Sequence, residues 1–411
     1  MTDRLYYTDS YQTEFDATVR ELTRRDGRPA VVLDRSAFYP TSGGQPNDLG
    51  TLYVEAAGRQ TFEVVDVVAG DGVVYHLLDA PPGLLADLPV GSRLQGVIDW
   101  PRRYDHMQQH SGQHLLSQVF ARRFEFETVS VHFGAEESTL DLDAATVDAA
   151  QLEEAEAAAN DLVYANLPIT AYFVDAREIG RVPLRRPPAV GGQIRIVEIA
   201  GFDYSACGGT HVHTSAEIGP VKLIRQERRR GQTRVTFLCG KRALADYSRK
   251  HRLLTQTAAL YSTDVGQVPG LVARSLEQVK ELQHRVDELT ARQLAYTAQE
   301  LLAAAQPIGG NRVVTALVDL PVDAVKTLAN LLQAEPHTIA LLGSAAGGKA
   351  TAVFARSAGA TPHMGHLLRA ALGALGGGGG GRPEFAQGGG VPVEKLDELL
   401  QIAQRDLRAA S

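Results

Sequence analysis

Short apolar runs alternate with polar residues over the first 100 residues of the chain, and Gly and Pro separate the runs, as between Thr41 and Pro46. Alternation with a period of two predicts β-strands, here over 30–33, 51–54, 61–68, 72–78 and 93–99. Regular short strands separated by turns are typical of a small β-barrel or a sandwich. We therefore expect a small β-barrel domain over 1–100.

The apolar pattern becomes helical after Pro101. His106, His110 and His114 recur every four residues, and an apolar stripe continues to Phe120, which predicts a helix over 107–120. Strands are then predicted over 128–133, 138–142, 170–174, 193–199 and 233–238, with an Ala- and Glu-rich helix over 146–166. This mixture predicts an α+β domain over 101–252.

The remaining chain predicts a long helix followed by a small domain. Leu and Val recur at three- and four-residue steps over 266–305, which is typical of a coiled coil. The segment is short for a rod, which favours a helical hairpin or a spacer between two domains, so we expect a helical linker over 253–305. Strands at 312–318, 338–342 and 350–356 alternate with helices at 322–333, 364–375 and 393–409. Such alternation predicts a small α/β domain over 306–411 and an α+β fold for the whole chain.

Composition excludes several classes of protein. The 411 residues are 44% hydrophobic, which fits a globular protein with two or three cores. We find neither an apolar run of about 18 residues, which a membrane span needs, nor the pattern of a secretory signal. We therefore expect a cytoplasmic protein without a membrane partner.

The formal net charge of -7 conceals a basic region. Eleven Lys and Arg lie between Lys222 and Arg252, including Arg228, Arg229 and Arg230, against two acidic residues. Clustered cations attract phosphates, so this stretch is a candidate RNA-binding surface; solvated surface charge is the alternative.

The strongest chemical signal is a pair of motifs with metal-ligand spacing. His110 and His114 lie four apart on the predicted helix and face one side of it. Cys207 and His211 are separated by three residues, of which two are glycines. Three imidazoles and a thiolate suit Zn²⁺. A chance spacing, with Cys207 as a small core residue, is the alternative, and so is a purely structural metal.

Two glycine-rich segments could approach phosphates through their backbone N–H groups. They are the turn containing Gly43, Gly44 and Gln45, and the run that includes Gly378, Gly379 and Gly380 and is followed by Gln387. Flexible connections are the alternative for both. The phosphate-binding loop motifs of nucleotide-driven enzymes do not occur in the sequence.

Five sequence segments together resemble one family. They are FYPTSGGQPNDLG, MQQHSGQHLLSQ, NLPI and ACGGTHVHTSAEIGPVKL, with GGGGGGRPEFAQGGG near the end of the chain. The first four resemble the editing domain of alanyl-tRNA synthetases and the free-standing alanyl-tRNA editing proteins of the AlaX family, in their long form. The fifth is similar to the glycine-rich signature of the DHHA1 domain. The chain starts at the editing module, so the resemblance implies editing without aminoacylation.

The resemblance implies a zinc-dependent deacylase that hydrolyses Ser-tRNA(Ala), with Gly-tRNA(Ala) as a further substrate, and spares Ala-tRNA(Ala). It implies that the zinc ligands His110, His114, Cys207 and His211 form the catalytic site. Residues of the amino-acid pocket would be Gln113, Ser130 and His132, and residues of the tRNA contact would be Gly43, Gly44, Gln45, Arg228, Arg229, Arg230, Gly378, Gly379, Gly380 and Gln387. The oligomeric state stays open, with a homodimer through the C-terminal part as one alternative. A non-catalytic, zinc-stabilised tRNA-binding module is the alternative function.

Overall fold

A computed structural model describes residues 1–25, 27–54, 60–80, 88–187 and 191–410. The chain divides into two compact units, Met1–Thr257 and Ala258–Ser411. Within the described ranges, no helix combines the length and the apolar character needed to cross a membrane.

The first unit begins with a closed six-stranded barrel, which confirms the barrel predicted from the alternating pattern. The strands before the first helix are β1 (Asp3–Arg4), β2 (Glu14–Arg25), β3 (Arg28–Leu33), β4 (Arg35–Ser36), β5 (Gly50–Val54), β6 (Gln60–Gly70), β7 (Val73–Asp79) and β8 (Arg93–Ile98). Around the barrel the order is β2, β3, β7, β6, β5 and β8, while β1 and β4 form a separate parallel pair. Strand β2 was not predicted, because charged residues occupy its outer face while Phe15, Ala17 and Val19 fill the core.

Helix α1 (Trp100–Phe124) is longer than predicted and runs through the core of the first unit. It starts at Asp99, whose side chain accepts a hydrogen bond from the backbone N–H of Arg102, and Pro101 occupies its first turn. Fifteen of its residues are buried, including His110 and His114.

Two antiparallel sheets and two further helices complete the first unit. The elements are β9 (Thr128–Phe133), β10 (Ser138–Leu142), α2 (Ala149–Tyr164), β11 (Ile169–Asp175), β12 (Gln193–Ile199), β13 (Asp203–Ala206), β14 (Val221–Arg229), β15 (Gln232–Cys239) and α3 (Gly240–Leu260). The sheet orders are β14-β15-β10-β9 and β11-β12-β13. Strands β13 and β14 and helix α3 were not predicted, since the basic residues of β14 and α3 obscure their periodicity.

The second unit is a mixed sheet with helices. Its elements are α4 (Val268–Ala303), β16 (Gln306–Ile308), β17 (Asn311–Val318), α5 (Val322–Gln333), β18 (Thr338–Ser344), β19 (Thr351–Arg356), α6 (Met364–Gly373), β20 (Gly378–Gly381), β21 (Phe385–Gly389) and α7 (Leu396–Ala409). The sheet order is β16-β17-β18-β19-β21-β20, and only the β17–β18 pair among these is parallel. Residues 378–381 of the glycine run therefore form a strand paired with β21, so the alternative of a flexible connection is wrong for them.

Candidate metal centre and flanking cavities

Two residues of a helix and two residues of a loop converge in the first unit. His110 and His114 lie one turn apart on α1, and Cys207 and His211 lie in the loop after β13. Their four donor atoms all lie within 4.8 Å of one another. The Sγ atom of Cys207 is 3.5 Å from Nε2 of His110 and 3.4 Å from Nε2 of His211. This cluster, called the His₃Cys cluster below, could hold a metal ion.

The loop from Cys207 to His211 packs closely against α1. A Cβ atom at Gly209 would lie 2.1 Å from Cε1 of His110, so only glycine fits at this position. Arg195 on β12 holds the loop from the other side, since its Nη1 donates to the carbonyls of Cys207 and Gly209 at 2.9 Å each. The glycines of the motif therefore allow the loop to bring its two donors to the helix.

Each histidine of the His₃Cys cluster engages its Nδ1 atom outside the cluster. The partners are Gln45 Oε1 for His110 at 2.8 Å, Asp203 Oδ2 for His114 at 3.2 Å and Ser111 Oγ for His211 at 3.1 Å. Second bonds of this kind fix the tautomer and the ring orientation of metal-binding histidines. They leave all three Nε2 atoms for a metal ion.

Burial and neighbouring charges set the protonation of the cluster. Burial opposes ionisation of Cys207, but the imidazoles of His110 and His114 hold the pKa of its thiol well below the usual value. Burial disfavours a charged His114, yet the Cys207 thiolate and the Asp203 carboxylate raise its pKa to about 9. Burial and the charge of His110 lower the pKa of His211 to about 3. A thiolate beside a neutral imidazole favours metal binding, and a bound cation would displace the proton of His114.

Two cavities adjoin this region. The larger has a volume of about 520 Å³, and His114 and Cys207 form part of its wall. The smaller has a volume of about 250 Å³ and contains Gln113 with residues 128–131 of β9. The segment Arg185–Arg186 lines both cavities and therefore lies between them.

The structure brings together two of the three residues predicted for the amino-acid pocket. Gln113 and Ser130 both line the smaller cavity. Nε2 of Gln113 donates to Ser117 Oγ at 2.8 Å, and Ser130 Oγ donates to Asp141 Oδ2 at 2.5 Å. His132 is exposed on β9 and is absent from the described lining of this cavity.

The first glycine-rich segment is a tight turn. Ser42 and Gln45 exchange backbone hydrogen bonds, and Gly43 and Gly44 between them have φ values of 56° and 84°. Two consecutive positive φ angles strongly favour glycine. Both glycines are exposed, but Gln45 is fully buried. The prediction that the Gln45 side chain contacts tRNA is thus corrected: it donates to Thr210 Oγ1 at 2.7 Å and supports His110.

The basic stretch is partly neutralised by carboxylates. Arg228 and Arg229 end β14, and Arg230 follows in an exposed turn. Arg229 pairs with Glu227 at 3.3 Å, whereas Arg228 and Arg230 form no ion pair with any described carboxylate. Further pairs join Arg225 to Glu137, Arg234 to Asp141, Arg242 to Asp105, and Arg249 and Lys250 to Asp246.

The second glycine-rich segment belongs to the second unit. Gly378, Gly379 and Gly380 lie on β20, and Gln387 lies exposed on β21, paired with Gly380. Strand β20 is the edge strand of its sheet, and three of its four glycines are exposed.

Sequence reasoning missed the residues that support the cluster. Asp203 and Ser111 orient two of the histidines, and neither belongs to a motif that signals this role. It also missed the fully buried pair of Arg103 and Asp48, in which Arg103 Nε donates to Asp48 Oδ1 at 2.9 Å. This pair ties α1 to the loop that carries Gln45, because Arg103 also donates to the carbonyl of Ala37.

Three family models match segments of the chain. Residues 6–102 match the class II (A) tRNA synthetases, residues 194–236 match the threonyl and alanyl tRNA synthetase second additional domain, and residues 309–409 match the DHHA1 domain. The second segment contains Cys207 and His211, and the third contains the glycine-rich strand.

Curated relatives align with nearly the whole chain. The alanyl-tRNA editing protein AlaX-L of Pyrococcus horikoshii is 29% identical over 100% of this chain and 99% of that protein. The alanine–tRNA ligase of Methanobrevibacter smithii is 31% identical over 98% of this chain and 45% of the ligase, and that of Halorubrum lacusprofundi is 32% identical over 99% and 44%. The chain thus spans slightly less than half the length of these ligases.

Among solved structures, the C-Ala domain of Aquifex aeolicus alanyl-tRNA synthetase aligns with 25% of this chain and 97% of that domain, at 24% identity and a TM-score of 0.24. The family models and the full-length alignment confirm the resemblance predicted from the motifs, which is to the long alanyl-tRNA editing proteins and to the editing and DHHA1 regions of alanyl-tRNA synthetase.

Proposed function

We propose that the chain is a zinc-dependent deacylase that edits mischarged tRNA(Ala) in trans. Its substrates are Ser-tRNA(Ala) and Gly-tRNA(Ala), and it spares Ala-tRNA(Ala). The observation that carries the proposal is the His₃Cys cluster beside two cavities, in a chain similar over its full length to an alanyl-tRNA editing protein.

The donor set of the cluster fits zinc. Zinc–nitrogen bonds of about 2.0 Å and zinc–sulfur bonds of about 2.3 Å place tetrahedral nitrogen and sulfur ligands roughly 3.5 Å apart. The two Sγ–Nε2 distances of 3.5 and 3.4 Å match that separation. Bound zinc supplies a Lewis acid for ester hydrolysis. Asp203, Gln45 and Ser111 hold the imidazoles in the orientation that such a site requires.

Polar groups in the smaller cavity support the choice of serine over alanine. Because Nε2 of Gln113 donates to Ser117, Oε1 of Gln113 is available to accept a hydrogen bond from a seryl hydroxyl. Alanine has no hydroxyl, and a site built to bind a hydroxyl can reject an analogue that lacks it. Ser130 gives its own proton to Asp141, so its oxygen would act as a second acceptor.

Two surfaces would contact the tRNA. In the first unit, Arg228 and Arg230 form no ion pair with a described carboxylate, and Gly43 and Gly44 expose a backbone turn at the smaller cavity. In the second unit, Gly378–Gly380 lie on the edge strand of the sheet, and Gln387 is exposed on the strand beside it. Phosphate contacts with lysine and arginine release counterions, so binding should weaken as salt rises.

A homodimer through the C-terminal part is the proposed oligomeric state. Five apolar side chains form a stripe on α4 and are at least half exposed: Leu276 67%, Val279 64%, Leu282 64%, Val286 54% and Leu289 50%. Their spacing suits pairing with a second helix. Sedimentation equilibrium would distinguish a dimer from a monomer, and a concentration-independent monomer mass would reject this state.

The decisive experiment measures hydrolysis and metal content in the same preparation. We expect wild type to hold about one zinc per chain and to deacylate Ser- and Gly-tRNA(Ala) faster than Ala-tRNA(Ala). Cys207→Ala should lose most metal and activity. Cys239→Ala is the matched control, because Cys239 is buried on β15 outside the cluster.

The same preparation separates an enzyme from a non-catalytic tRNA-binding module. Metal-depleted protein that stays folded and binds tRNA but no longer cleaves the ester would support an enzyme. Zinc-loaded wild type that binds tRNA and cleaves no aminoacyl ester would reject it, and full zinc retention in Cys207→Ala would reject the ligand set.

A further inference from the structure

We propose that the larger cavity receives the 3′-terminal adenosine of the aminoacylated tRNA, with its base packed against Phe173 and Tyr7. This proposal rests on the proposed editing function, because it assigns the alcohol side of the ester that the enzyme would cleave. The cavity is formed by residues of the first unit, with Phe173 on β11 and Tyr7 in the short 3₁₀-helix that follows β1.

An aminoacyl-tRNA ester joins two groups of very different size at one carbonyl. A seryl or glycyl group is small, whereas the adenosine on the other side of the bond is several times larger. The two cavities show the same asymmetry, at about 250 and 520 Å³, and the segment Arg185–Arg186 lies at both. Because His114 and Cys207 stand in the wall of the larger cavity, a nucleoside there would place its ribose ester beside the cluster.

Two aromatic rings line this cavity, those of Phe173 and Tyr7. Phe173 is 46% exposed, although it is a large apolar side chain in the middle of a strand. The ring of Tyr7 lies with its centroid 6.3 Å from that of Phe173, at an interplanar angle of 72°. Nucleic-acid bases stack on aromatic side chains in many proteins, with little dependence on sequence.

The arginines that line the larger cavity differ in burial and in their bonding partners. Arg195 is buried, and its guanidinium donates to the carbonyls of Tyr7, Cys207 and Gly209, so it holds the wall of the cavity in place. Arg185 donates from Nη2 to Ser205 Oγ at 3.3 Å and lies 3.5 Å from Asp203. The side chain of Arg186 is 52% exposed, and its ion pair with Glu127 is long at 3.6 Å. Arg186 is therefore the cation placed to meet the phosphate of the terminal nucleotide.

The test uses two non-hydrolysable amide analogues with the full-length, zinc-loaded protein. One is 3′-seryl-amino-3′-deoxyadenosine, and the other carries the same seryl amide on a ribose without a base. Calorimetry would measure the dissociation constants for wild type, Phe173→Ala and Tyr7→Leu. Tyr164→Ala is the control, because this aromatic on α2 is 84% exposed and lines neither cavity.

We expect both cavity variants to weaken binding of the adenosine analogue roughly 5- to 150-fold, with no change for the base-free analogue and none in Tyr164→Ala. Equal weakening of both analogues would overturn the proposal, since the rings would then only support the fold of the site. Unchanged binding of the adenosine analogue in both variants would also overturn it. Hydrolysis of Ser-tRNA(Ala) by wild type, measured in parallel, reports separately on the editing function.

Discussion

Gln45 shows how one buried side chain connects the barrel to the metal cluster. Its Oε1 accepts from His110 Nδ1 at 2.8 Å and from the backbone N–H of Thr210 at 3.1 Å, and its Nε2 donates to Thr210 Oγ1 at 2.7 Å. It therefore holds one ligand of α1 and, through Thr210, the loop that carries Cys207 and His211. Its place in a glycine-rich turn explains why the sequence pattern indicates an RNA contact.

We expect Gln45→Leu to lower metal affinity on the order of 10- to 100-fold. The physical reason is that His110 loses the acceptor that fixes its tautomer and ring orientation. Competition with a chelator and the absorption spectrum of the Co²⁺-substituted protein would measure this effect. Gln113→Leu is the matched control, since Gln113 is also a buried glutamine but bonds to Ser117. Equal metal affinity in wild type and Gln45→Leu would contradict the assigned role.

His76 predicts a pH dependence of stability that is independent of the cluster. It is fully buried between Ser36 Oγ at 2.7 Å and the carbonyl of Val31 at 3.0 Å, and burial lowers its pKa to about 4. In the unfolded chain the imidazole titrates near 6.5. Above pH 6.5 the imidazole is neutral in both the folded and the unfolded state. Between about pH 6.5 and 4 only the unfolded state binds a proton, so the free energy of unfolding falls as the pH falls, by about 1.4 kcal/mol per pH unit.

We expect the free energy of unfolding of His76→Gln to vary less with pH than that of wild type, with a difference of up to about 3 kcal/mol between pH 6.5 and 4. Urea unfolding at several pH values in this interval would measure the difference from wild type. His284→Gln is the control, because the His284 side chain is 78% exposed. A wild-type slope retained in His76→Gln would show that His76 does not titrate in this way.

Helix α1 is buried although it carries many polar residues, because these residues form hydrogen bonds with neighbouring elements. Gln109 pairs with both backbone groups of Cys239, at 2.9 and 3.0 Å, and Gln108 donates to the carbonyl of Glu217 at 2.8 Å. Gly112 lets the helix approach β15, since a Cβ there would lie 2.2 Å from Sγ of Cys239. Hydrogen bonds to neighbouring elements thus replace water around the helix.

Two neighbouring glycines of strand β20 differ in the space available for a side chain, so their alanine variants can be compared. A Cβ at Gly379 would lie 2.7 Å from Gly388 Cα and 2.9 Å from the carbonyl oxygen of Gln387, whereas a Cβ at Gly378 would meet nothing within 4 Å. We expect Gly379→Ala to lower the free energy of unfolding by about 1–3 kcal/mol and Gly378→Ala to change it by less than about 0.5 kcal/mol.

Thermal and urea unfolding of the two variants would check this difference, and equal stabilities would contradict the packing argument. Because we expect Gly378→Ala to leave the fold intact, its affinity for tRNA tests the proposed backbone contact directly. Weaker tRNA binding with unchanged stability would support a contact at β20.

The two compact units divide the proposed tasks of the whole molecule. The His₃Cys cluster and both cavities lie within the first unit, Met1–Thr257, and the DHHA1 match lies within the second. We expect a chain ending at Ser262 to retain zinc and to deacylate a short seryl acceptor-stem helix, with weaker binding of full-length tRNA. Zinc analysis and deacylation of both RNAs would test it; a folded, zinc-loaded fragment inactive on the short helix would contradict it.

The sequence by itself determined the local elements and the ligand motifs. Period-two alternation marked five of the six barrel strands, and the four-residue spacing of His110 and His114 placed both on one face of α1. These signals are readable because each depends on residues only a few positions apart. Strands β2 and β14 and helix α3 were not predicted, because their many charged residues obscure the apolar period.

Only the tertiary structure decided what surrounds the ligands. His110 bonds to Gln45, which is 65 positions away in the sequence, and His114 bonds to Asp203, which is 89 positions away. The local sequence around each histidine does not predict these partners. The two cavities likewise collect residues from several elements of the first unit. Such contacts depend on how separate elements pack, because a hydrogen bond or a cavity wall forms only where folding brings distant positions within a few ångströms.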